Sequence, residues 1–363
     1  MHSSTATLAS ASCLFVSALL SAGCGAPPPC ETASSTASSG ASTPVAEVER
    51  APSRFDARLS LYEYPFEVHM RAFEAQGQAL EMAYMDLHPE GEGNGRTVLL
   101  LHGKNFSGAY WAPVARALAA QGFRVVMPDQ IGFGKSSKPV DFQYSFAALA
   151  SHTRALIDQL GIERVAVVGH SMGGMLATRY ALLYGTHVER LVLMNPIGLE
   201  DWAALGVPYR SIDAQAEADL GATAEGVRAY MRASYYDGAW NDAYEEVAAI
   251  QIGWTTSPDR AVLARVSART YDMIFTQPVV HEFPRLAVPT LLVIGTRDRT
   301  ALGKDRVDES LRAQLGQYQQ LGRDAQAAIE GAQLLELESV GHLPQVEAFD
   351  QTMTSLNQFL AAD

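Results

Sequence analysis

The sequence predicts an α/β fold: a mostly parallel central sheet with helices on both faces and a helical cap inserted late in the chain. Three observations predict it. Short apolar runs at 97–102, 124–127, 165–168 and 191–194 alternate with helical stretches at 109–120, 146–160 and 172–184. Strands that are apolar on both faces and separated by helices belong to a parallel sheet covered on each side. The rhythm then stops for residues 200–286, which read as helix and loop rich in aromatics, among them Trp202, Tyr235, Tyr236, Trp240 and Trp254. Strand-like sequence resumes at 289–294 and 333–338, followed by a closing helix from about Val346.

The elements before residue 97 are of two kinds. From Tyr64 to His88 the pattern alternates, with Gly77 in the middle, and reads as a β-hairpin at the sheet edge. Residues 8–23 are apolar with small residues at the end, the layout of a secretory signal. Leu20-Ser21-Ala22-Gly23-Cys24 resembles the lipobox of bacterial lipoproteins, with Ser21 where that pattern favours leucine. This resemblance implies export of a bacterial protein to the periplasm, with lipid attachment to the membrane through Cys24. Residues 25–55 are rich in Ser, Thr, Ala and Pro, too poor in large apolar groups to offset the entropy of ordering them, and read as a tether. The expected organisation is a signal at 1–24, the tether at 25–55, core at 56–199, cap at 200–286 and core again at 287–363.

Composition narrows the function. The 363 residues carry a net charge of −13, against nucleic acid as a partner, since phosphate binding needs clustered Lys and Arg. The three cysteines, Cys13, Cys24 and Cys30, all precede the core, so no disulfide or cysteine metal site is expected there. No run reaches the roughly 20 apolar residues of a membrane-spanning helix.

The chemistry centres on Val167-Val168-Gly169-His170-Ser171-Met172-Gly173-Gly174, a buried strand running into a helix. A serine between glycines on so sharp a turn exposes its hydroxyl at a helix N-terminus, where unpaired N–H groups favour negative charge. A serine hydroxyl needs a base, and the base needs an orienting group. His342, in the loop after the last strand, is the expected base. Asp298, at the carboxyl end of the strand before it, is the expected acid, with Glu200 or Asp201 as alternatives. Backbone N–H groups for an oxyanion are expected from Met172 and from Lys104, or alternatively Asn105, after the strand ending His102-Gly103. The mechanism calls for no metal or organic cofactor.

Together with Asp129-Gln130-Ile131-Gly132-Phe133-Gly134-Lys135-Ser136, these segments resemble the α/β-hydrolase superfamily, within it the capped group of esterases, carbon-carbon bond hydrolases and proline iminopeptidases. The resemblance spans about residues 60–360. The loop from Asp129 is similar to one in dehalogenases and epoxide hydrolases of this fold, whose nucleophile is an aspartate. Serine at 171 points instead to acyl transfer on a small to medium, partly apolar ester. Other readings are an aminopeptidase, for which Glu245 and Glu246 could hold a free amine, a carbon-carbon bond hydrolase, with Gln345 as its candidate marker, and a non-catalytic receptor.

Overall fold

The computed structural model describes residues 54–362. The expected signal, Cys24 and nearly all of the tether lie outside the described residues. Eight strands form one sheet: β1 (His69–Ala75), β2 (Gln78–Leu87), β3 (Thr97–Leu101), β4 (Arg124–Pro128), β5 (Val165–His170), β6 (Val188–Met194), β7 (Thr290–Gly295) and β8 (Gln333–Leu337). Their order is β1-β2-β4-β3-β5-β6-β7-β8. The β1–β2 and β2–β4 pairs are antiparallel, and all the others are parallel. Burial follows from position: β3, β5 and β7 are buried at every residue, whereas β1, at the edge, alternates half-buried with exposed. Ala75 pairs with Gln78, so the β1–β2 turn has two residues, and Gln76 and Gly77 both take positive φ. That backbone matches the right-handed strand twist.

Eleven helices are described: α1 (Ala112–Ala120), α2 (Phe146–Gln159), α3 (Met172–Tyr184), α4 (Ile212–Leu220), α5 (Ala224–Ser234), α6 (Asp242–Trp254), α7 (Arg260–Thr276), α8 (Glu309–Gln314), α9 (Tyr318–Ala328), α10 (Pro344–Glu347) and α11 (Phe349–Ala361). Alternate residues of β3 serve the two layers. Leu99 and Leu101 pack in the same core as Leu149 of α2 and Leu176 of α3, and Val98 and Leu100 pack with Val114 of α1 and Leu356 of α11. Three details differ from expectation. The helix expected from 109 begins as a 3-10 turn, Gly108–Trp111. The closing helix is divided at Ala348, whose backbone leaves the helical region. Helices α8 and α9 stand between β7 and β8, where the sequence reading places no element. The buried residues of α9, Tyr318, Gly322 and Ala325, are spaced as one helix face, with Leu321 and Ala328 packed beside them, a pattern the sequence reading passed over.

Helices α4 to α7 fill the stretch between β6 and β7, with α4 packed on α7 and α5 on α6. Ser211, Thr223 and Asn241 start the first three by accepting hydrogen bonds from backbone N–H groups of the first turn. Val266, Met273 and Ile274 of α7 join the main core, as does Trp202. Val227, Met231, Tyr235, Tyr236 and Ala248 form a separate cluster with Phe106 and Leu343 of the core loops. The cap is therefore seated on the sheet's carboxyl edge, where ligands bind in open α/β folds.

Candidate active site

Strand β5 runs into α3 through Ser171, whose φ of 57° and ψ of −123° are strained for any residue with a side chain. The flanking glycines make this turn possible. A Cβ at Gly169 would overlap the carbonyl of Gly173, and one at Gly173 would overlap the carbonyl of Leu101. A Cβ at Gly174 would overlap the Pro196 ring. The amide of Ser171 donates to Met194 O at 3.2 Å, and its carbonyl accepts from Gly174 and Ile197, so backbone bonds to the neighbouring strand hold the turn.

His342 follows β8 in a loop that rests against the end of β7. Gly295 permits the approach, since a Cβ there would overlap the carbonyl of Gly341. This places Asp298 beside the imidazole: His342 Nδ1 lies 2.6 Å from Asp298 Oδ2, and both side chains are fully buried. Asp298 Oδ2 also accepts from Asn195 Nδ2 at 2.7 Å, and Oδ1 accepts from Thr300 N at 2.8 Å and Thr300 Oγ1 at 2.7 Å. Burial alone would push the Asp298 carboxyl up, but the neighbouring His342 and the hydrogen bonds from His342, Thr300 and Asn195 outweigh it and bring it below the usual value. The other imidazole nitrogen, His342 Nε2, is buried without a hydrogen-bond partner.

The residue before the serine ties the two loops together. His170 Nε2 donates to the His342 carbonyl at 2.8 Å, and its Nδ1 pairs with Tyr110 Oη at 2.9 Å. Burial, then the neighbouring His342 imidazole, holds the His170 pKa well below the usual range, so it is a neutral donor. His102 is fixed in the same way. Gln130 N–H donates to its Nε2 at 3.0 Å, which leaves Nδ1 as the donor to Gly103 O at 2.8 Å. Asp129, in the loop singled out in the sequence, accepts from Gly108 N, Lys135 N and Tyr64 Oη, and so braces loops around the sheet edge.

The loop after β3 passes close to the serine. A Cβ at Gly103 would sit 3.0 Å from Ser171 Cβ. Met172 opens α3, so its N–H has no intrahelical acceptor, and among the described residues no group accepts from the N–H of Met172 or of Lys104. Asn105 turns its side chain toward the cap, where its Nδ2 donates to Tyr235 Oη at 3.1 Å.

The structure thus brings Ser171, His342, Asp298, Met172 and the Lys104 loop to one edge of the sheet. The alternative acids are engaged elsewhere: Glu200 accepts from Trp202 Nε1 and Gly316 N, and Asp201 pairs with His281. Glu245 is held by Arg228 and Trp240. Gln345 is buried, its side-chain amide without a partner. Sequence reasoning missed four residues: Asn195, Thr300, His170 and Tyr235, whose ring stacks on the His342 imidazole with centroids 4.5 Å apart. The only signal for Asn195 was a polar residue ending a buried strand at the sheet's carboxyl edge. Among the described residues no group of three or more His, Cys, Asp or Glu is placed to hold a metal ion, and no helix is long and apolar enough to cross a membrane.

Comparison with known proteins gives the class. The family model for the alpha/beta hydrolase fold matches residues 96–247. The crystal structure of a probable hydrolytic enzyme from Pseudomonas aeruginosa PAO1 is 51% identical, covers 85% of this chain and 98% of its own, and superposes with a TM-score of 0.83. The chain belongs to the α/β-hydrolase family. Lipase 1 of Psychrobacter immobilis is 27% identical over 278 residues, 73% of this chain and 77% of the lipase. An uncharacterized protein of Mycobacterium tuberculosis is 42% identical over 107 residues, 30% of this chain. The chain spans 31% of the length of that relative.

Proposed function

We propose that the protein is a serine hydrolase that cleaves a small to medium ester or related acyl compound through an acyl-enzyme on Ser171. The observation that carries this reading is the state of His342. Its Nδ1 is fixed by a buried, ionised Asp298, its Nε2 is unpartnered, and its own carbonyl is bonded to the residue before Ser171. Such an imidazole has one nitrogen locked as donor and the other left to accept a proton.

In the reaction, Ser171 Oγ attacks the acyl carbon as its proton passes to His342 Nε2, and Asp298 stabilises the imidazolium that results. The carbonyl oxygen, now negative, meets the N–H groups of Met172 and Lys104, each worth about 3–4 kcal/mol at such a site. The imidazolium protonates the leaving alcohol. A water then gives its proton to His342 and attacks the acyl carbon, releasing the acid and restoring Ser171.

Glu245 is already ion-paired with Arg228 and bonded to Trp240 Nε1, so a substrate amine would have to displace these partners, which disfavours the aminopeptidase reading. A panel of p-nitrophenyl esters, aminoacyl anilides and dienoic diketo acids tests the reaction class: turnover of esters alone is expected, and turnover confined to the diketo acids would reassign the enzyme to carbon-carbon cleavage. We infer in addition export and acylation at Cys24, for which membrane fractionation that is lost in Cys24→Ala is the test.

A further inference from the structure

Two adjoining cavities of about 80 Å³ and 120 Å³ lie where the Lys104 loop meets the cap. They share the walls made by Gln251 and Trp254 of α6 and by Leu263 and Ser267 of α7. The smaller reaches Lys104 and the larger reaches Asp219. Each could hold several waters, since one water needs roughly 10–15 Å³, and so could hold a small ligand fragment.

The polar lining of these cavities is not satisfied from within the protein. Asp219 Oδ1 accepts from Gln215 Nε2 at 2.8 Å, but Oδ2 is buried without a partner. Gln251 Oε1 is also buried without a partner. Lys104 Nζ donates one hydrogen to Ser267 Oγ at 2.8 Å. Burial pushes the Lys104 pKa down while the charge of Asp219 pulls it up, so the two groups sense each other without a direct hydrogen bond. Buried polar groups left without partners are costly and uncommon. Asp219 Oδ2 is an acceptor whichever way the Gln251 amide is turned, so what it lacks is a donor.

We propose that these cavities form the specificity site for the acyl chain and take a neutral hydrogen-bond donor on it, a hydroxyl or a secondary amide. That group donates to Asp219 Oδ2 or Gln251 Oε1 and accepts from Lys104 Nζ. The lining holds Lys104 and Arg260 beside Asp219, so a cationic donor would be repelled by two like charges and an anion has no hydrogen to give Asp219 Oδ2, which leaves a neutral donor. The proposal rests on the serine-hydrolase reading, which makes the Lys104 loop the place where the acyl group is held.

Two matched pairs of esters test it: the first control exchanges the hydroxyl for a methyl group and so loses donor and acceptor together, and the second exchanges the amide N–H for a methylene and loses the donor alone. Ethyl 3-hydroxybutanoate is set against ethyl 3-methylbutanoate, and ethyl N-acetylglycinate against ethyl 4-oxopentanoate. Affinity is measured by NMR titration of the full-length Ser171→Ala protein, and kcat/KM is measured on the wild type. The donor-bearing member of one pair is expected to bind at least about ten-fold more tightly and to react with a matching advantage. The pair that shows the preference tells hydroxyl from amide. In Asp219→Ala and Gln251→Leu the preference should shrink toward one. Ratios near one in both pairs, or a preference that survives both substitutions, would overturn the assignment and leave the cavities as water sites. A binding preference without turnover supports the specificity site and rejects the serine chemistry, while turnover without preference does the reverse.

Discussion

The Ser171 elbow and the cap wall beside Lys104 are packed to different standards. At the elbow, Gly169, Gly173 and Gly174 have no room for a methyl group, and backbone hydrogen bonds hold the turn. Every polar atom of Asp298 has a partner. At the cap wall, α6 and α7 enclose voids, and carboxylate and amide oxygens stand unpaired. The contrast separates two tasks. Chemistry needs atoms held to within a fraction of an ångström, which rigid backbone supplies. Selectivity needs unmet bonding capacity that only the right ligand completes.

Substitutions at the elbow should therefore have the larger effects. Ser171→Ala should lower turnover by roughly 10⁴ to 10⁶-fold with the fold intact by circular dichroism. Asp298→Asn should lower it by about 10⁴-fold, because the imidazole loses its orienting charge, whereas Glu200→Gln and Asp201→Asn should change kcat little. A crippling effect of either of those two would move the acid to the loop after β6. Asn195→Ala removes one donor from Asp298 and one from the Gly341 carbonyl, and should lower kcat about 10 to 100-fold with KM nearly unchanged.

Stability draws the same line between the regions. Gly173→Ala drives a methyl into the Leu101 carbonyl and should cost more than about 3 kcal/mol in chemical denaturation. Gln251→Leu removes an unpaired buried oxygen and should leave Tm unchanged or raise it. A loss on Gln251→Leu as large as that on Gly173→Ala would erase the distinction.

The smallest effect concerns pH. Burial, the largest cause at both, depresses the pKa of His102 and His170 in the folded state. As pH falls below about 6.5, the unfolded chain takes up protons at these histidines before the native state does. Stability from this source is complete above that value and declines below it, so Tm should fall between pH 6.5 and 5. A Tm that rises on acidification over this window would contradict neutral burial of the pair.

Much of this architecture was legible because buried parallel strands announce themselves as short apolar runs and because Gly169-His170-Ser171-Met172-Gly173 joins a strand to a helix. That His342 and Asp298 would meet was legible from their places after β8 and β7. Asn195 and Thr300 were not, because their roles come from loops that meet only in three dimensions. Tyr235 is a further case. It looked like one aromatic among many in the cap, and only its stacking on His342 distinguishes it. The cap's cavities were equally hidden, since composition does not record which oxygens lack partners.

The central claim is that Ser171 is the nucleophile, and covalent labelling with a fluorophosphonate followed by peptide mass spectrometry tests it most directly. The account predicts a single adduct on the peptide carrying Ser171, slowed in Asp298→Asn and absent in Ser171→Ala. An adduct on another serine, or labelling that persists in Ser171→Ala, would contradict it.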